Sequence, residues 1–115
     1  MPEPHDSNNT LPKQHILKKK RAFQEVFSSG RRIRGRFGQL IVAPWSKTQV
    51  AFVVGRRTGN AATRNRLRRY LREFYRTHKQ LIPTNYAVIF QIFPQQDIPG
   101  YHQIESEFTE LCQQL

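Results

Sequence analysis

Residues 55–76 read GRRTGNAATRNRLRRYLREFYR, and this run decides the fold. It starts where the apolar run Val50–Val54 ends, turns at Thr58-Gly59-Asn60, and then takes on helical periodicity. Asn60 suits an N-cap, because its side-chain oxygen can accept one of the helix's unpaired backbone N–H groups. Gly59 suits the turn ahead of it, and Ala61 and Ala62 are good first-turn residues. Leu67, Tyr70, Leu71 and Phe74 share one face, which predicts a helix packed on a sheet. The rest of the surface carries Arg64, Arg66, Arg68, Arg69, Arg72 and Arg76, six arginines in thirteen residues, with Glu73 alone to offset them. A short run of such charges is ordinarily a solvated face. This density, all Arg and no Lys, favours recognition of a polyanion, since guanidinium forks grip phosphate oxygens in pairs and stack on bases.

Working upstream, Gln49–Val54 is β-branched and aromatic enough for a buried strand. Before it, Leu40–Ala43 is a second apolar run, and Pro44 marks an edge strand or a strand end. Arg31, Arg32, Arg34 and Arg36, separated by Ile33 and Gly35, begin that stretch as a basic strand or loop. The segment His15–Ser29 reads as an amphipathic helix in its second half, with Phe23, Val26 and Phe27 on one side and Gly30 placed to end it. Residues 1–14 contain Pro2, Pro4 and Pro12 among polar residues and form an expected flexible tail, leaving 15–115 as the single domain.

Downstream, the arginine helix is expected to fade around Ile82-Pro83. Tyr86–Phe93 is the longest apolar run and reads as a central strand buried on both faces. After a loop at Pro94–Gly100, the stripe Ile104, Phe108, Leu111, Cys112 and Leu115 predicts a last helix. The fold class is therefore α+β, a two-layer α/β sandwich of about four strands and three helices, ordered αβββαβα or αββαβα.

The chain has 115 residues and a net charge of +11. Residues 13–36 hold nine Lys and Arg against Glu25, and residues 56–79 hold nine more against Glu73. Charge concentrated in two segments is the footprint of a nucleic-acid surface, with an anionic membrane the weaker alternative. The single Cys112 leaves no internal disulfide or multi-cysteine zinc site, and it reads as a small apolar residue of the last helix. The N-terminus lacks an apolar signal core and no run approaches a membrane span, so a cytoplasmic protein is expected.

No catalytic constellation stands out. The eight acids are scattered or gathered on the last helix, His5 and His15 lie in or beside the tail, and His78 and His102, near the ends of two helices, read as ordinary surface residues, so neither a catalytic group nor a metal site is expected in the chain. Phe23 and Phe27, four apart, could both be core, or could form a stacking platform for unpaired bases beside the basic strand. Asn65 is either an exposed helix residue or one that reaches a base edge or sugar. Gly59 and Asn60 make a turn and cap whose exposed amides also suit a phosphate.

These residues resemble a known pattern. The run VGRRTGNAATRNRLRRYLREFYR is similar to the signature of the protein subunit of bacterial ribonuclease P, with Arg64-Asn65-Arg66 as its RNR motif. His15-Ile16-Leu17, then Phe23-Gln24-Glu25-Val26-Phe27, Gly30 and Arg36, resemble the family's N-terminal block, and Tyr86–Phe90 its final strand. The resemblance implies a non-catalytic cofactor of the RNA-based endoribonuclease that removes the 5′ leader from precursor tRNA, with magnesium used by the RNA subunit. It also implies that Arg56, Arg57, Asn60, Arg64, Asn65, Arg66, Arg68, Arg69 and Arg72 face the catalytic RNA. Lys20, Arg21, Phe23, Phe27 and Arg36 would hold the single-stranded leader in a cleft between the first helix and the sheet. It further implies a left-handed strand–helix–strand crossover around the RNR helix, against the general preference. The sequence departs from the family in having Arg56 and Arg57 where lysines are frequent, and Ile41 where an aromatic is common. A ribosomal or other structural RNA-binding protein shares the charge and size; an independent nuclease or a DNA-binding protein fits less well.

Overall fold

Alternating side chains lay down a four-stranded mixed sheet, and three helices cover it. In the computed structural model, which describes residues 13–115, a 3₁₀ turn at Lys13–His15 leads into helix α1 (Lys20–Ser29). Strands β1 (Arg31–Arg34), β2 (Gly38–Pro44) and β3 (Gln49–Val54) follow, then α2 (Ala61–Thr77), β4 (Tyr86–Ile92) and α3 (Tyr101–Cys112). This is the αβββαβα order. Residues 1–12 of the expected tail lie outside the described residues.

The strand order is β1-β2-β4-β3. β2 runs antiparallel to both neighbours, whereas β3 and β4 are parallel and joined over α2. β4 is thus the interior strand its apolar run predicted, and Ala87–Phe90 are fully buried on alternate faces. Gly38 must be glycine here, because a Cβ would stand 1.9 Å from the Gln91 carbonyl oxygen on β4. Pro44 ends β2, where its missing N–H costs the ladder nothing.

The register sorts the sheet into two faces. Leu40, Val42, Val50, Val54, Val88, Phe90 and Ile92 point to one face, beneath Leu67, Leu71, Phe74 and Tyr75 of α2 and Ile104, Phe108 and Leu111 of α3. Ile41, Ala43, Ala51, Ala87 and Ile89 point to the other, beneath Val26 of α1. The α+β reading holds, with its helices divided: α2 and α3 on one face, α1 crossing part of the other.

The arginine helix stops at Thr77, short of the expected end near Ile82. The reason is local. The His78 ring stacks on Phe74 at 4.3 Å, and its Nδ1 lies 2.9 Å from the Phe74 carbonyl, so a side chain takes up a terminal acceptor. A second 3₁₀ turn, Lys79–Leu81, carries the chain on to β4. Cys112 is buried, and burial pushes its thiol up to about 12, which makes it a packing residue. No helix of the described residues is long and apolar enough to cross a membrane.

The β1–β2 turn is fixed from α3. Backbone N–H groups of Arg36, Phe37 and Gly38 donate to the Glu107 carboxylate at 2.7–3.0 Å. An anion accepting from three amides anchors a turn that would otherwise be solvated. Glu107→Gln is expected to destabilise the fold by about 1–2 kcal/mol, read as a lower urea midpoint at unchanged slope. An unaltered midpoint would mean that the turn holds itself.

Candidate nucleic-acid interface

Asn60 caps α2 as expected, its Oδ1 accepting from Thr63 N–H at 2.9 Å, and Gly59 takes φ +69° in the turn before it. Thr58 is buried in that turn and donates to the Phe93 carbonyl at 3.3 Å, tying the turn to the end of β4. With the apolar stripe inward, Asn65, Arg69, Arg72 and Arg76 fall on the outermost line of α2, and Arg66 stands on its shoulder. Arg56, Arg57, Asn60, Asn65, Arg66, Arg69 and Arg72 are all exposed.

The arginines are not equivalent. Arg64 folds back, its Nη1 donating to the carbonyls of Arg56 at 3.0 Å and Gly59 at 2.9 Å, so it braces the turn that presents Arg56 and Arg57. Arg68 donates to Asn65 Oδ1 at 2.7 Å, which orients that amide. Arg76 pairs with Glu73. Among the described residues, Arg66, Arg69 and Arg72 have no acidic partner. Those three guanidinium groups are the ones on the helix that no bond among the described residues engages.

On the opposite face of the sheet, Phe23 and Phe27 stack at 5.8 Å with rings 23° apart, and with Gln24 and Ser28 they leave a small apolar patch on α1. Lys20 and Arg21 are exposed in the first turn of the same helix. Arg32 donates to the Phe27 carbonyl at 2.7 Å and places its guanidinium 5.1 Å from the Phe27 ring centroid. Arg36 stands apart from this group: it sits in the β1–β2 turn beside α3, over Phe37, in a groove shared with Glu107 and Glu110.

Sequence reasoning passed over Arg32 and Arg34 here. Both lie on the α1 side of β1, since Arg32 is opposite Ile41 and Arg34 opposite Gln39, and the alternation around buried Ile33 was the available signal. It also passed over Gln39 and Gln91, a cross-strand pair joined by a 2.7 Å hydrogen bond. Arg34, Gln39, Gln91 and Val53 form one lateral row across the sheet, polar except for Val53, which packs against the cluster beneath α1. Ile41, in the place of the common aromatic, is fully buried beneath α1.

The approach to α1 is strapped down. Leu17 N–H donates to Val50 O at 2.7 Å, and His15 Nδ1 lies 3.0 Å from the hydroxyl of Tyr75, a core residue of α2 outside the predicted stripe. Burial, with a smaller push from Lys79, holds the His15 imidazole below its ordinary value of 6.5. A base depressed in the folded state contributes its full stability above the unfolded value and loses it as pH falls toward the folded one. Hydrogen-exchange protection of the Leu17 amide is therefore expected to drop between about pH 7.5 and about pH 5.5 relative to β4 amides. Equal protection at both would show that His15 does not hold the strap.

Among the described residues, no three His, Cys, Asp or Glu side chains converge as a metal-binding group. The fold and its surface thus define a small basic α+β protein that presents an arginine helix on one side of a mixed sheet and an aromatic patch on the other. A ribonuclease P family profile matches residues 11–115. The ribonuclease P protein component of Petrotoga mobilis is 32% identical over 114 residues, covering 92% of this chain and 95% of that one. That of Natranaerobius thermophilus is 35% identical over 97 residues, covering 83% and 84%. Among solved structures, the RNase P protein of Thermotoga maritima superposes with a TM-score of 0.74 at 20% identity, covering 87% of this chain and 96% of that one. A mutant of the Staphylococcus aureus RNase P protein gives 0.79 at 21%, covering 88% and 87%. The chain belongs to the ribonuclease P protein family, as a protein component of that tRNA-processing enzyme.

Proposed function

We propose that this protein is the RNA-binding cofactor of ribonuclease P, with the magnesium-dependent cleavage carried out by the catalytic RNA. The observation that carries this reading is the set Arg66, Arg69 and Arg72, exposed on one helix without acidic partners among the described residues. Six arginines so close repel one another, and an opposing polyphosphate relieves that repulsion. In this reading α2 and the Gly55–Asn60 turn lie against the catalytic RNA, with Arg64 holding the turn in shape.

The aromatic patch of α1 then takes the single-stranded 5′ leader of precursor tRNA. Phe23 and Phe27 offer ring faces that accept any base, while Lys20, Arg21 and Arg32 meet its phosphates; Arg36 would reach only a more distant part of the strand. Holding the leader extended keeps the scissile phosphate near the RNA's active site. It raises affinity for substrate and, through the assembled RNA, for magnesium. The protein would act in the cytoplasm, where tRNA precursors are processed.

Comparing precursor and mature tRNA tests this directly. With the RNA subunit present, the protein is expected to increase affinity for precursor tRNA and leave mature tRNA nearly unchanged. Equal gains for both would favour a purely structural RNA-binding role.

A further inference from the structure

The extended residues after the first 3₁₀ turn and the start of α1 wall one side of a cavity of about 650 Å³, and the β2–β3 turn walls the other. That volume is in the usual range of small-ligand pockets, about 300–1,000 Å³. Lys13, Lys18, Lys19 and Lys47 reach it from both walls, and among the described residues no acid lines it. All four lysines are exposed, and among the described residues none has an ion-pair partner. Trp45 also lines it: its Nε1 donates to Gln49 Oε1 at 3.0 Å, and the half-buried ring packs on the core beneath α1. The indole is therefore held in one plane. Lys19, at the N-cap of α1, makes no side-chain cap and no acid occupies the first turn, so the helix end adds to the positive potential.

This cavity is separate from the aromatic patch. Ala22 lines it, and helical spacing sets Ala22, Glu25 and Ser29 on one flank of α1 with Phe23 and Phe27 on the other. It is continuous with the arginine surface instead, because Lys13 and Lys18 also line the adjoining groove with Arg72 and Arg76 of α2.

We propose that the cavity is a second site for single-stranded RNA, with a phosphodiester held among the lysines and the adjacent base against the Trp45 ring. Ammonium groups act on phosphate as point charges and need no fixed fork, which suits a site walled by two flexible-stemmed sets of lysines. The inference rests on the RNA-binding reading above, and not on the leader assignment. The strand could come from an unpaired segment of the ribonuclease P RNA or from upstream nucleotides of a long leader; both present the same chemistry.

Trp45 is the only tryptophan in the chain, so tryptophan fluorescence reports the surroundings of this one side chain. It borders this cavity and also a groove lined by Glu25, Ser29 and Arg31, and a lysine variant assigns the response to the cavity. The full-length protein would be titrated with single-stranded hexaadenylate, then with the ribonuclease P RNA, and the assembled complex with precursors bearing short or long leaders. Hexaadenylate is expected to quench Trp45 saturably. The variant K18A/K19A/K47A, altered only at exposed positions, should bind it about tenfold more weakly at the Trp45 site, with the log–log salt slope reduced by about two. Quenching by the RNA alone identifies that source; quenching only by the long-leader precursor identifies the leader. No response to any of the three, or a response that the lysine variant keeps at full strength, overturns the proposal. Phe27→Ala should leave the Trp45 response intact, so a failed leader reading and a failed cavity show up in different measurements.

Discussion

Alanine at Arg66, Arg69 and Arg72 together is expected to weaken association with the ribonuclease P RNA by about a hundredfold near physiological salt, with a log–log salt slope lower by about three. The size follows from about 1 kcal/mol for each lost phosphate contact, since about 1.4 kcal/mol is tenfold. These side chains are exposed on α2 and make no hydrogen bond or ion pair among the described residues, so thermal stability should hold or rise slightly as like-charge repulsion falls. Arg64→Ala provides the contrast. Because Arg64 bonds the carbonyls of Arg56 and Gly59, its loss should act by loosening the turn. Filter binding across a salt series reads both effects, and a triple variant with unchanged affinity and slope would move the RNA off this helix.

Phe27→Ala is expected to raise KM for a leader-bearing precursor by about tenfold to a hundredfold, the range that loss of one base stack gives. Cleavage of a substrate with a minimal leader should change little. Phe27 is half-buried, packs against the cluster beneath α1 and carries Arg32 over its ring, so truncation also removes packing. Phe27→Leu separates the two effects: it retains apolar volume and loses the flat face. A leucine variant that behaves as wild type on leader-bearing substrate would leave Phe27 as a core residue and end its leader role.

How much of this was legible in the sequence depends on the range of the interaction. Local signals carried through: the Asn60 cap, the Gly59 turn, the Gly30 stop and the helical stripe of α3 are set by neighbours three or four residues away. The strands were legible from apolar runs, and β4 could be called interior because it is apolar on both faces. What was hidden needs register and topology. Arg32 and Arg34 join the α1 side only once β1 is aligned with β2, while Arg36 is drawn toward α3 by the Glu107 clasp across 71 positions of sequence. The end of α2 at Thr77 turned on one stacked histidine, which no periodicity records. Likewise Arg64 reads like its neighbours in sequence, and only the fold shows it bracing the preceding turn.

The most direct measurement is a magnesium titration of precursor-tRNA cleavage by a bacterial ribonuclease P RNA, with and without this protein. The protein is expected to lower the magnesium concentration needed for half-maximal cleavage and to cleave nothing by itself. A titration curve unmoved by the protein, in conditions where it binds the RNA tightly, would contradict the proposal that it is the cofactor that raises substrate and metal affinity.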